Sequence, residues 1–243
     1  MSTYPFKILV KYTSGGRPDR FLGGLQNIWA TCNNPDYVRV LVTADIDDKL
    51  MCNDIMRDEI AQYPNTHVIY GTSESKIHAI NRDMNILPDD FKDWDIVANF
   101  SDDMRWTAEG WDEYIRVDAN RVSPDMDCFL SYFDPDTKGV LSTLYIAGRK
   151  FYDMFGFIYD PQFKSLFCDN LIEDCAKALG KFKYLGYQIY HHYNPSYGYE
   201  NFRPDAMYEE QQRVGWDLDE KLYYKIKSEG LENYLSQFNL KPL

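Results

Sequence analysis

Asp95-Ile96-Val97-Ala98-Asn99-Phe100-Ser101-Asp102-Asp103-Met104 is the stretch that decides how this chain folds. Its short apolar run is bounded by turn residues, as in a strand buried on both faces. It stops abruptly at two adjacent carboxylates. In an open α/β sheet, ligands bind just beyond the C-terminal ends of the strands. Two Asp at that place repel each other unless a cation or a donor group lies between them. A divalent ion such as Mg²⁺ or Mn²⁺, held by one or two carboxylates, meets that need and leaves positions for substrate phosphates. The competing reading is a solvated turn in which Asp102 or Asp103 caps a helix beginning near Thr107.

Outward from this stretch, strand and helix patterns alternate. Residues 6–12 form a continuous β-prone run, followed by the turn Thr13-Ser14-Gly15-Gly16-Arg17-Pro18. Phe21, Leu22, Leu25, Ile28 and Trp29 then recur with helical spacing, and Pro18 suits a helix start. The pattern predicts strands over 38–43 and 66–70 and helices over 48–63, 75–84 and 107–119. This β-α order implies a mostly parallel sheet with helices on both faces. The second half differs. Strands are expected over 128–133 and 141–146, separated by the turn-rich segment 134–139, and over 183–190. Helices are expected over 150–155 and 170–179, and the charged tail from Pro204 to Phe238 reads as helical. No linker divides the chain.

The 44% hydrophobic content of the 243 residues is enough for a real core. The net charge of −12, with no basic tract, argues against nucleic acid, which is bound through Lys and Arg. A nucleotide remains compatible, its charge met by a metal and a few basic residues. Cys32, Cys52, Cys128, Cys168 and Cys175 are odd in number and include no C-x-x-C, so neither a zinc ribbon nor a disulfide framework is indicated. Cys168 and Cys175 suit one helix face. A reducing, cytoplasmic location is the expectation. Residues 1–6 are too short and polar for a signal peptide, and no run of 18 apolar residues predicts a membrane span.

Three acidic clusters fall at strand ends or helix starts: Asp45 with Asp47, Asp102 with Asp103, and Asp169 with Glu173 and Asp174. In a doubly wound sheet the first two share one edge. Asp169 is either the cap of the helix that follows or a general base. His191 and His192 close the last predicted strand, and adjacent strand residues point to opposite faces. At most one of them therefore aims at a given site, as a ligand or as a packed residue. Arg17 is placed to meet a diphosphate or simply to form a turn. Lys76 and Asn81 flank the third helix as phosphate or base contacts, or as solvated residues. Residues 13–20 match neither G-x-x-x-x-G-K-[ST] nor G-x-G-x-x-G, which disfavours P-loop and dinucleotide sites.

In this order the pieces resemble a GT-A glycosyltransferase of the family 2 type over residues 6–200. Ser14-Gly15-Gly16-Arg17-Pro18 looks like the opening turn of some members, and Asp45-Ile46-Asp47-Asp48 and Lys76-Ile77-His78-Ala79-Ile80-Asn81 follow in place. Phe100-Ser101-Asp102-Asp103-Met104 stands at the family's D-x-D position. Gly148-Arg149-Lys150-Phe151 and Phe155-Gly156-Phe157 lead to Cys168-Asp169-Asn170-Leu171, similar to its E-D-x-x-L stretch. His191-His192-Tyr193-Asn194-Pro195 resembles its late metal-ligand His. The departures are Ser-Asp-Asp-Met in place of a clean D-x-D, and Cys168 in place of the usual Glu.

The resemblance implies a GT-A-like domain over 1–203 and a helical extension over 204–243. Residues 1–119 would bind the nucleotide-sugar and 120–203 the acceptor. It implies a nucleoside-diphosphate sugar donor, with UDP favoured by family frequency, a Mn²⁺ or Mg²⁺ ion, and inversion at the anomeric carbon. On that footing Asp103 is the expected metal ligand with His191 slightly favoured beside it, and Asp102 faces the ribose or a metal-bound water. Ser14, Arg17 and Asp45 line the nucleotide pocket with Lys76 and Asn81, and Asp169 is the base. Two other functions share such a sheet. One is a nucleotide-sugar-binding module without turnover; the other is a nucleotidyltransferase, which releases pyrophosphate.

Overall fold

Five of the six residues of β1 (Ile8–Thr13) are buried, because β1 lies inside a sheet covered on both faces. This computed structural model describes residues 4–243. The reading of residues 1–3 as part of a polar lead lies outside the described residues. The other strands, in chain order, are β2 (Val38–Asp45), β3 (Thr66–Gly71), β4 (Ile96–Ser101), β5 (Met104–Trp106), β6 (Phe129–Ser131), β7 (Tyr145–Gly148), β8 (Phe182–Tyr184) and β9 (Tyr190–His192). Seven of them form one sheet in the order β3-β2-β1-β4-β7-β6-β8, and β5 pairs with β9 in a second. β3, β2, β1 and β4 are parallel; β7 runs antiparallel to β4 and β6.

Helices cover both faces: α1 (Pro18–Ala30), α2 (Asp54–Ala61), α3 (Lys76–Arg82), α4 (Trp111–Val122), α5 (Arg149–Phe155), α6 (Cys168–Ala178), α7 (Ala206–Val214), α8 (Glu220–Glu229) and α9 (Leu231–Ser236). The alternation of β1 divides the core. Ile8, Val10 and Tyr12 pack with Val40, Ala98, Phe21 and Leu25 on one face. Leu9, Leu41 and Val97 pack with Ile77, Phe151, Leu171 and Leu235 on the other. Burial of each such side chain stabilises by about 1.5–3 kcal/mol, so the sheet core rather than helix propensity holds the tail helices in place.

The expected strand over 183–190 splits. Gly186, at φ 74, turns the chain between β8 and β9, which belong to different sheets. Strand β7 starts only at Tyr145, because residues 142–143 bond sideways, Ser142 N–H to Glu173 and Thr143 Oγ1 to Asp134. The helix expected over 48–63 shortens to α2, capped by Asn53, which accepts from Met56 N–H. β5 was not anticipated at all, being three residues long. All five cysteines are free. Among the described residues no helix is long and apolar enough to cross a membrane.

Candidate functional site

β1, β2 and β4 run parallel in register, with Thr13 level with both Thr43 and Ser101. The residues that follow therefore emerge at one edge of the sheet. A cleft of about 900 Å³ opens there, lined by Ser14, Arg17, Asp45, Lys76, Asp102, Asp103, Asp169 and His192. Such a cleft at the C-terminal ends of parallel strands is where this architecture places ligands.

The two adjacent carboxylates differ in company. Asp102 is 3% exposed and accepts from Ser14 Oγ at 2.6 Å and Arg17 Nη1 at 3.4 Å. Burial and the neighbouring Asp103 carboxylate push its carboxyl up, against the pull of Arg17. Asp103 accepts from Ser101 Oγ at 2.5 Å and faces His192 Nε2 at 3.4 Å. Burial alone would raise the Asp103 carboxyl; the His192 imidazole outweighs it and holds the group well below the usual carboxylate range, with Lys76 assisting. Asp103 is thus an ionised carboxylate beside an imidazole, both chemically suited to a divalent ion whose other positions are filled by diphosphate oxygens. Among the described residues no three His, Cys, Asp or Glu side chains converge as a complete metal cage. Mg²⁺-type sites need none, since they rely on one or two carboxylates and the substrate.

Asp169 is the second residue of α6 and not its cap; that position belongs to Phe167, at φ 59. A non-glycine residue in the left-handed region stores strain, and such residues gather at functional sites. The Asp169 carboxylate accepts from Asn170 N–H at 3.0 Å. Burial pushes its carboxyl up, opposed by that N–H and by Lys76. A raised carboxyl is a stronger base, as proton abstraction requires.

No protein-family model and no curated protein matches the sequence. Solved structures are similar in fold. A mannosyltransferase from Pyrobaculum calidifontis, in complex with GDP-Man and Mn²⁺, superposes with a TM-score of 0.64 at 14% identity over 82% of this chain and 60% of its own. S. aureus TarS gives 0.57 at 14% identity over 81% of this chain and 38% of its own. Its 1–349 form gives 0.56 at 14% identity over 86% and 69%. The chain has a GT-A fold. It spans about 60% of the length of the mannosyltransferase it matches and less of full TarS.

Within the GT-A fold, the sequence-predicted residues divide. Ser14, Arg17, Asp45, Lys76, Asp102, Asp103 and Asp169 all line the one cleft. His191 does not. β9 pairs with β5 so that His192 lies opposite Met104 and His191 opposite Arg105. His192 therefore turns to Asp103, while His191 Nε2 lies 3.1 Å from Asp136 and 3.2 Å from Tyr199 OH. The structure thus places His192, not the favoured His191, beside Asp103, because the β5 pairing fixes the alternation. Asn81 is also displaced from the cleft. Its side chain donates to Tyr159 O at 2.7 Å and accepts from Ile158 N–H at 3.0 Å, pinning a loop.

Arg17 is already engaged, bonding Asp205 at 2.6 and 2.8 Å as well as Asp102. Asp45 is neutralised by Arg82 at 3.0 Å and bonded by Ser73 Oγ at 2.6 Å. The other two carboxylates of the Asp169 cluster are occupied elsewhere: Glu173 takes Ser142 N–H and Lys177, and Asp174 takes Tyr223 OH and Lys227. Sequence reasoning missed Arg82, Asp205 and Trp216. A cation in the last turn of a helix after a strand-end Asp was a usable signal for Arg82. Nothing local pointed to Trp216, which reaches the cleft from the tail, or to Asp205, which reaches Arg17 from there.

Proposed function

We propose that this chain is a metal-dependent, inverting glycosyltransferase that moves a sugar from a nucleoside-diphosphate donor, with UDP-sugar favoured, to a hydroxyl acceptor. The observation that carries the reading is the pairing of Asp103 with His192 in the same cleft as the burial-raised carboxylate of Asp169. A transferase of this kind needs a cation to neutralise the departing diphosphate on one side of the sugar and a base on the other. Asp103 and His192 would hold Mn²⁺ or Mg²⁺, which as a Lewis acid stabilises the departing diphosphate. Asp102, fixed by Ser14 and Arg17, keeps the donor loop against the end of β4. Asp45 and Ser14 flank the base and ribose, and Lys76 adds a cation over the phosphates. Asp169 takes the proton of the attacking hydroxyl.

Residues 1–119 carry the donor side and 120–203 the acceptor side on this reading, with 204–243 as an extension. A cytoplasmic setting is supported by the five free thiols. The deciding experiment is a thermal-shift series with UDP and GDP, each with and without Mn²⁺, followed by donor turnover. Mn²⁺-dependent stabilisation by UDP and release of free UDP from a UDP-sugar are expected. Binding without release leaves a binding module, pyrophosphate release from a nucleoside triphosphate makes a nucleotidyltransferase, and tighter GDP binding overturns the uridine preference.

A further inference from the structure

α7 and α8 are joined by a wide helical turn, Gly215–Asp219, of the π type. Such bulges are frequent at functional sites because they re-aim side chains. Here the bulge is clamped to the cleft wall. Asp219, 1% exposed, accepts backbone N–H bonds from Lys164, Ser165 and Leu166 at 3.0, 2.7 and 2.8 Å. Gly215 lies so close to Leu166 that a Cβ there would run into the Leu166 side chain. The segment held in this way leads directly into Phe167, Cys168 and Asp169.

The bulge delivers Trp216 to the cleft. Trp216 lines the cleft yet is 53% exposed, an unusual state for the largest apolar side chain. Phe167 meets it edge-on, with ring centroids 5.3 Å apart and planes at 82°. Trp216 is thus held by an edge contact two residues from Asp169. Asn170, Gln211 and Gln212 line the same cleft, the two glutamines within five residues of Trp216 in the chain, and none of the three side chains donates or accepts a hydrogen bond among the described residues. Each amide both donates and accepts.

We propose that the acceptor is a neutral saccharide, seated with the C–H face of a sugar ring on Trp216 and its hydroxyls on the Asn170, Gln211 and Gln212 amides. A pyranose has one apolar C–H face and a rim of hydroxyls that each donate and accept, which is the complement of an aromatic plate flanked by amides. The net charge of −12 and the pairing of Arg17 with Asp102 and Asp205 weigh against an anionic acceptor; with Lys76 assigned to the donor phosphates, Lys164 is, among the described residues, the cleft cation left to an anion. A lipid tail would leave the three amides unpaired. The inference rests on the transfer reading for the word acceptor; the platform itself does not.

The test uses the full chain, alone and with UDP and Mn²⁺, against neutral di- and tetrasaccharides of glucose, galactose, mannose and N-acetylglucosamine. Ribitol and dodecanol are the contrasting probes. Saturation-transfer NMR reads binding, and titration reads affinity. At least one saccharide is expected to bind through ring C–H protons, with Trp216→Ala weakening it about tenfold or more and Trp216→Phe retaining most of the affinity. Thermal melting of both variants checks that they fold. The proposal is overturned if no saccharide in the set binds under either condition, if Trp216→Ala binds as tightly as the parent, or if only ribitol or dodecanol binds. Nucleotide binding is titrated separately. Its absence beside saccharide binding at Trp216 would overturn the transfer reading and leave the platform standing.

Discussion

The two walls of the cleft are built on different principles. The first wall, from β1 to β4, uses parallel strands of six to eight residues, largely buried in β1, β2 and β4 and half-buried in β3. The second wall uses three-residue strands and long connections held by buried carboxylates that accept backbone N–H groups. Asp219 holds 164–166, Glu173 holds Ser142, and Asp134 takes His192 N–H and Thr143 Oγ1. A hydrophobic wall is tolerant of exchange among apolar residues of like volume. A wall of carboxylate clamps is not, because each lost acceptor strands several buried donors. The contrast teaches that the first wall owes its geometry to periodicity and the second to individual polar contacts.

The largest effect is expected across the divide. Asp169 stands on the second wall and, on the proposed reading, would act on an acceptor opposite a donor held by the first. Asp169→Asn should lower sugar transfer by roughly 10²-fold or more while UDP and Mn²⁺ still bind. Steady-state transfer beside a nucleotide titration checks this; transfer at the parent rate moves the base elsewhere.

Next come the residues where the walls meet. Asp103→Asn should weaken Mn²⁺-dependent nucleotide binding by about 10- to 100-fold, and His192→Ala by about tenfold. His191→Ala should leave that affinity nearly unchanged and instead loosen the Asp136 and Tyr199 contacts. Titration of the three variants at fixed UDP separates them. A larger loss from His191→Ala than from His192→Ala would reverse the assignment drawn from the β5–β9 register.

Within the second wall, Asp219→Ala strands three backbone donors. An expected loss of about 2 kcal/mol follows, since water reaches part of the loop and buried unpaired donors cost about 1–3 kcal/mol. Chemical denaturation measures it. A comparable truncation of one apolar contact on the first wall, Val40→Ala, removes two methyl groups and no hydrogen bond. If both variants unfold alike and transfer is unaffected in each, the clamp is not what positions residues 164–169.

Legibility in the sequence follows the same divide. Residues 96–100 and 38–43 announced strands because sheet burial on both faces demands unbroken apolar runs. Asp45, Asp102 and Asp103 were then placed at one edge by topology alone. β5 and β9 are too short for any period to show, so the histidine facing Asp103 could not be chosen correctly. The break at Gly186 was available as a glycine but not as a positive φ. Asn81 reads as polar and helical in either role; only the loop at 158–159 decides that it is a pin. Trp216 lies far along the chain from the cleft it lines, and Asp205 far from the Arg17 it bonds; long-range closure of this kind leaves no local signature.

The smallest expected effect probes the exception on the first wall. Lys11 sits in β1 with its side chain fully buried, bonded to Thr43 Oγ1 and, at 3.3 Å, to Ala79 O, with Asp83 at 3.9 Å. Burial pushes its ammonium down to about 7 from 10.5, against the pull of Asp83. The unfolded chain keeps that proton to about pH 10.5, so between pH 7 and 10.5 it binds more protons than the folded one. Stability contributed at this site therefore rises with pH across that window, and the cost of a buried charge is fully present below pH 7. Thiols work the other way: burial, partial at Cys32 and full at Cys128, raises both to about 12, so above their ordinary range the folded state loses ground. The comparison must then be a difference. Lys11→Met keeps the volume, and Asp83 remains paired with Arg82 at 3.0 Å. Relative to the parent, the variant should be more stable at pH 6 by about 1 kcal/mol, with the advantage shrinking towards pH 9. Denaturation midpoints at pH 6, 7.5 and 9 measure this. A pH-independent difference would mean that Lys11 keeps its proton, and that Asp83 and Thr43 form a closed ion-pair site inside an otherwise apolar wall.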